Sequence, residues 1–387
     1  MTIKDSNESL PSTNILIVLK DLNDIQEVTY VKDLATFLKS QDINPVIISN
    51  KGPLISEFAR HGLKHIYAPI NKTGFFNERI KARLIEKICE NENIHLIHNF
   101  SRSAVKATFK VHTKLSLPLI HSMNKVYKGN KRFNAGLLKS DFTITASEYI
   151  KEKAIHKYKN YIQDKKNLVV INNWVDTLKY SKASISAARI ENVIQKINLP
   201  EDKKIIIIPE DIEKESGLKT ILSAIKESEN KDKFLALIVG KVKNEKYLTA
   251  LERIIREEGL EESIRISFNS EDFLELLAMS NLAIFPSKIK KYTNDRITKA
   301  QSMGVPVIAN DRGVNNELIV DGLTGFIIDD KHVEDITLAI DNIITMEEMN
   351  SRRLSMESLK FAKVNFEYKT KCAEILELYQ KAIKFYK

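Results

Sequence analysis

Cations dominate the residues of this chain that could do chemistry, and they are unevenly placed. From Arg60 to Lys166, Lys and Arg outnumber Asp and Glu by more than two to one, within a net charge of +9. Such a face attracts an anionic membrane surface, nucleic acid or phosphorylated ligands. It lacks the interleaved aromatics of a nucleic-acid groove, so membrane ranks above nucleic acid. The competing reading is a solvated Lys-rich surface reflecting a bias towards Lys, Ile and Asn. Cys89 and Cys372 have no metal-like spacing, and a lone disulfide does not suit what reads as a cytosolic chain. His98 and His121 each sit in an apolar run and read as core histidines.

These residues need a scaffold, and hydrophobic periodicity supplies one. Asn14–Leu19 is a short apolar run, Val31, Leu34, Ala35 and Leu38 follow a helical spacing, and Pro45–Ser49 is a second run. Ile94–His98, Leu117–His121 and Phe142–Ala146 continue the strands, with Ile80, Leu84, Ile85 and Ile88 marking a helix between them. A second series follows the polar segment Ser181–Lys204. Its strands are Ile205–Ile208, Phe234–Val239, Ile264–Phe268, Leu282–Pro286 and Val305–Ala309. Its helices are Leu218–Ile225, Leu251–Ile255 and Phe273–Met279, the last with Ser270 as its expected N-cap. Gly304 reads as a helix stop, and Ser351–Lys384 as helical. Strands alternating with helices form parallel, doubly wound sheets. At 387 residues the chain suits two such domains, expected at 1–176 with 364–387, and at 177–363. The apolar content of 43% with 29% charged is a globular profile. The longest apolar runs fall far short of the roughly 18 residues of a spanning helix. The polar, acid-containing start Met1–Thr13 does not read as a signal peptide.

One stretch carries a resemblance. Met303-Gly304-Val305-Pro306-Val307-Ile308-Ala309 is followed by Gly313, Glu317 and Asp321-Gly322-Leu323-Thr324-Gly325-Phe326. This resembles the C-terminal signature of the family-4 (group 1) retaining glycosyltransferases, and more weakly the similarity covers nearly the whole chain. Ser101-Arg102-Ser103, Ala146-Ser147-Glu148-Tyr149-Ile150 and Phe285-Pro286-Ser287 are similar to the bacterial envelope-glycan branch. The resemblance implies the GT-B fold: two Rossmann-like domains facing a cleft, a nucleotide-sugar donor on the C-terminal one and a glycan or lipid-linked acceptor on the N-terminal one. It implies no metal and no cofactor beyond the nucleotide-sugar co-substrate. The location it suggests is cytoplasmic, peripheral on the inner face of the cell membrane.

In that family, departure of the nucleoside diphosphate depends on positive groups and helix N-terminal amides. Aligned on Gly217, Asp211 stands where the family has Arg, and Ser216 where it has Lys. Losing two charge-assisted contacts of about 1.5–3 kcal/mol each weakens donor binding roughly a hundred- to ten-thousandfold. Lys214 or Lys219 could substitute, or could be surface lysines. The family's pair of Glu, eight positions apart, matches Lys291 and Lys299, which cannot accept from hydroxyls. The donor-binding candidates implied are Gly217, Lys219, Gly240, Lys291, Lys299, Gly313 and Glu317. In the N-terminal half, a family glycine pair matches the glycine-free Leu22-Asn23-Asp24-Ile25-Gln26-Glu27, and a family His-Gly matches Asn124-Lys125. Trp174 replaces glycine in Asn173-Trp174-Val175-Asp176. The replacements gather at function-bearing positions, whereas the fold-bearing glycines persist. Two readings follow: a sugar transferase, or a catalytically degenerate GT-B protein binding a glycan, a nucleotide or a partner.

Overall fold

The structure is a computed structural model and describes residues 13–71, 75–129, 131–162, 164–267, 271–329 and 331–386. The chain divides into two units, Met1–Asn173 with Tyr368–Lys387, and Trp174–Glu367. Trp174–Asp176 and Val364–Glu367, expected with the first domain, therefore belong to the second unit. The Val175 N–H donates to Phe366 O at 2.8 Å, and both side chains enter the second unit's core.

The first unit holds a parallel sheet of seven strands: β1 (Asn14–Val18), β2 (Asn44–Ser49), β3 (Lys64–Tyr67), β4 (Ile94–Asn99), β5 (Leu119–Met123), β6 (Phe142–Thr145) and β7 (Leu168–Val170). Their order is β3-β2-β1-β4-β5-β6-β7. The second has β8 (Lys204–Ile208), β9 (Phe234–Val239), β10 (Ile264–Ser267), β11 (Leu282–Phe285), β12 (Val307–Asn310) and β13 (Gly325–Ile328), in the order β10-β9-β8-β11-β12-β13. These are two Rossmann-like parallel sheets, the arrangement the resemblance implies.

The continuous apolar runs follow from burial on both faces. In β8 and β9, Ile206, Ile208, Phe234, Ala236 and Ile238 enter one core, and Ile205, Ile207, Leu235, Leu237 and Val239 enter the other. The strand period of two sends neighbours to opposite faces.

Several expected elements move. The strand expected at Leu117–His121 is Leu119–Met123. Ser351–Lys384 is two helices, Glu348–Phe366 and Tyr368–Lys384, separated by the extended Glu367. Ser270 and residues 1–12 lie outside the described residues, and Asp272 occupies the N-cap position of Phe273–Met279.

Each sheet reverses its winding once, between β1 and β4 and between β8 and β11. Sheets of this kind bind ligands in a crevice at the carboxyl ends of the strands beside such a switch point.

Candidate functional site

In the second unit the crevice is built by close backbone approach. Gly217 precedes the helix Leu218–Glu227 with φ of 79°, and a Cβ there would lie 2.1 Å from Pro286 O. Gly240, after β9, approaches the Glu210 carbonyl equally closely, since a Cβ at this position would also lie 2.1 Å from the oxygen. Only glycine allows these loops to touch. At Gly313 the neighbour is Lys291 O, 2.2 Å from such a Cβ, and Val314 N–H donates to the same oxygen at 3.1 Å. The loop after β11 is also held by Asn310, whose Nδ2 donates to Ser287 O at 2.7 Å.

Charge then bridges the crevice. Lys291 Nζ donates to the buried Glu210 carboxylate at 2.7 Å, joining the loop after β11 to the loop after β8. Asp211 meets Lys243 Nζ at 2.8 Å, the Lys241 N–H at 3.2 Å and Arg296 at 3.9 Å. Arg296 also donates to Pro209 O. Burial pushes the Asp211 carboxyl up, but Lys243, the Lys241 N–H and Arg296 together hold it below its ordinary value. A hollow of about 350 Å³ lies at the carboxyl ends of β12 and β13, lined by Lys290, Asp311, Arg312, Ile327, Ile328, Asp329 and Lys331.

The first unit's crevice is assembled differently. Ser101 and Ser103 join hydroxyls at 2.8 Å, and buried Lys81 donates to Ser103 O, which fixes the turn after β4. That turn lays the Arg102 guanidinium over the Tyr127 ring, 4.9 Å from its centre, while Arg102 Nε donates to Asn134 at 2.8 Å. Lys125 Nζ lies 5.6 Å from the same ring centre. The Tyr127 carbonyl accepts from Lys157 Nζ at 2.7 Å and Tyr158 Oη at 3.1 Å, so the ring stands on a fixed loop. Glu27 lies in the first turn of the helix Ile25–Ser40, whose N-cap is Asp24. Burial, then Asp24 and Asp21, push its carboxyl up to about 7, against Lys125 and Lys20. Tyr127 is pushed up to about 12 by burial and by Glu27.

The chain's two halves match two family models: Glycosyltransferase Family 4 over residues 28–179, and Glycosyl transferases group 1 over residues 189–355. A glycosyltransferase from Rickettsia africae ESF-5 superposes with TM-score 0.88 at 22% identity, covering 96% of this chain and 99% of that one. HepE of Anabaena in complex with UDP has TM-score 0.79 at 16% identity, covering 95% and 100%. The apo lipopolysaccharide outer core galactosyltransferase WaaB has TM-score 0.71 at 11% identity, covering 94% and 99%. This is a glycosyltransferase-like GT-B protein. Among curated protein sequences none matches it.

Within this GT-B chain the expected site residues divide. Gly217, Gly240, Gly313, Asp211 and Lys291 come together around the β8–β11 crevice. Ser216 is buried, and its Oγ accepts from the Leu218 N–H at 3.4 Å. Lys219 is exposed and lies 5.7 Å from the Tyr247 ring centre, and the Lys219 N–H donates to Tyr247 Oη. Lys299 lies over the Tyr180 ring at 5.1 Å, a different partner from that of Lys291. Glu317 is half-buried in the short helix Asn315–Leu318, and Asn124 half-buried in the loop after β5. His98 and His121 are fully buried in β4 and β5. His98 joins Tyr379 at 2.6 Å and Ser122 at 2.8 Å. Burial, with His121 adding to it, pushes His98 down to about 3, and burial pushes His121 down to about 4.

Sequence reasoning missed Glu210, Arg296, Arg102, Tyr127 and Glu27 as site residues. The Leu22–Glu27 loop and the Ser101–Ser103 turn were the available signals. The partners that give these residues meaning are far away in sequence.

Proposed function

We propose that this chain transfers a sugar with retention, from a nucleotide-sugar donor to a lipid-linked or envelope glycan acceptor, at the cytoplasmic face of the cell membrane. The observation that carries the donor side is Gly217 at the start of the ten-residue helix Leu218–Glu227, beside the β8–β11 crevice. The positive end of the helix dipole there favours a phosphate. Lys291 and Arg296 stand on the facing segment and supply cations to the same crevice. HepE has been solved with UDP and with UDP-glucose, and WaaB is a lipopolysaccharide outer core galactosyltransferase, which supports this donor and acceptor class. Among the described residues no helix is long and apolar enough to cross a membrane, so contact with a lipid-linked acceptor would be made at the surface.

One observation favours a second reading, a catalytically degenerate GT-B subunit binding a glycan, a nucleotide or a partner. The carboxylates of Glu210 and Asp211 already take Lys291, Lys243 and Arg296, the cations a diphosphate would need. Isothermal titration with uridine and guanosine diphosphate sugars, paired with a turnover assay, separates the two. Micromolar binding with turnover by the wild-type chain supports the transferase. Absence of both, with binding gained in Glu210→Gln/Asp211→Asn, supports the degenerate subunit.

A further inference from the structure

The helix Glu348–Phe366 of the second unit buries Leu354, Ser358, Ala362 and Phe366, a stripe at four-residue spacing. Its opposite face is unusual for a surface helix. Met349, Met356 and Val364 are 76%, 64% and 65% exposed, and Leu359 is 43% exposed. Arg353, Lys360 and Lys363 are exposed among them. Positions 349, 353, 356, 360 and 363 advance by steps of four and three, so they form one continuous stripe along the helix. Arg352 flanks it and pairs with Glu348 at the helix start. The helix's other carboxylate, Glu357, is half-buried at the edge of the stripe.

Single exposed apolar residues are ordinary on a protein surface. A run of them alternating with cations has two requirements at once, an apolar phase for the side-chain tips and negative charge beside it. A second copy of the chain meets only the first, because a two-fold contact would set these cations against their own copies. An anionic bilayer meets both: apolar tips enter the interface while the Lys and Arg heads stay at headgroup level. At about 1.5 Å per residue the helix would lie along roughly 28 Å of that surface. The Lys-rich stretch 60–166 offers charge without such a stripe. Its exposed large hydrophobics among the described residues are Tyr67, Ile80 and Tyr161, on three separate elements.

We propose that the exposed face of the helix Glu348–Phe366 docks this protein on an anionic lipid bilayer, lying in the plane of its interface. The assignment goes beyond the donor reading and does not depend on sugar transfer. The test is co-sedimentation of the full chain with vesicles of phosphatidylcholine alone, or of phosphatidylcholine with about a third phosphatidylglycerol. Wild type should pellet with the anionic vesicles, and less so as salt shortens the reach of the charges. Met349→Ser/Met356→Ser/Val364→Ser and Arg353→Glu/Lys360→Glu should each lower vesicle partitioning about tenfold or more. Lys87→Glu/Lys110→Glu, in the Lys-rich stretch, should leave it near wild type. Circular dichroism melting confirms that each variant is folded. The proposal is overturned if wild type stays in solution with anionic vesicles, or if Lys87→Glu/Lys110→Glu alone abolishes binding. A wild-type dimer in light scattering that the Met349/Met356/Val364 variant splits, with vesicle binding unaltered, would assign the stripe to self-association instead.

Discussion

The two switch-point crevices carry acidic residues at the same topological place and treat them in opposite ways. In the second unit Glu210 and Asp211 leave β8 and are met at once by Lys291, Lys243 and Arg296. In the first unit Glu27 follows β1 and makes no ion pair among the described residues, with Asp24 and Asp21 as its acidic neighbours. Asp211 is accordingly held below the ordinary carboxylate range, and Glu27 is pushed up to about 7. Position in the fold does not set the character of a carboxyl group; what the loop across the crevice offers it does. The second crevice is neutralised by its own side chains, and the first holds a carboxyl that gains or loses a proton near neutral pH.

The largest test of this contrast removes the cation that makes the second crevice what it is. Lys291→Met strands the buried Glu210 carboxylate and should cost about 2–4 kcal/mol in urea denaturation, the lower figure reflecting the lysine's partial exposure. Lys291→Met/Glu210→Met should recover most of that loss, since the penalty comes from the unpaired charge. Equal losses in the single and double variants would mean that the pair is incidental to folding.

Glu27→Gln probes the other side. A carboxyl with a raised folded pKa binds its proton more tightly when folded, so it costs stability as pH rises from about 4.5 to about 7, and the cost is constant above that. The substitution should therefore stabilise the protein by roughly 2 kcal/mol at pH 8 and hardly at all at pH 4.5. A gain independent of pH would remove Glu27 from the comparison. The smallest effect belongs to Asp211→Asn. Its depressed pKa contributes stability present above about pH 4 and lost as pH falls through the folded value. The loss should be about 1 kcal/mol near pH 7, because Lys243 is half exposed, and should shrink as the pH falls below the ordinary carboxylate value.

Much of this fold was legible in the sequence, for a physical reason. Central strands such as Phe234–Val239 are buried on both faces, so their apolar runs are continuous and bounded. The strands β3, β7 and β13 were not, because they are three or four residues long and include half-exposed positions. At the site, the glycines at 217, 240 and 313 could be read as special, but not the carbonyls they admit, which belong to Pro286, Glu210 and Lys291. Lys291 and Asp211 read as two separate losses, an acid replaced by a base and a base by an acid. In the folded chain they belong to one exchange, in which acidic residues leave β8 and basic ones face them. No local pattern carries that, since Glu210 and Lys291 stand 81 positions apart.

The isoleucine run of β8 has a consequence for how that exchange stays aligned. Ile205, Ile206, Ile207 and Ile208 are chemically identical, so a one-residue slip would still place isoleucine on both faces of the sheet. The side chains of this central strand therefore carry almost no information about its register. Polar anchors at its start must supply it: the Ile205 N–H donates to Asn281 Oδ1 at 2.9 Å, and Lys204 Nζ to Ile344 O at 2.6 Å. A slip would move Glu210 about 3.3 Å along the strand, farther than the length of its bond to Lys291. Two contacts at the opposite end of the strand thus set where the crevice's charges fall.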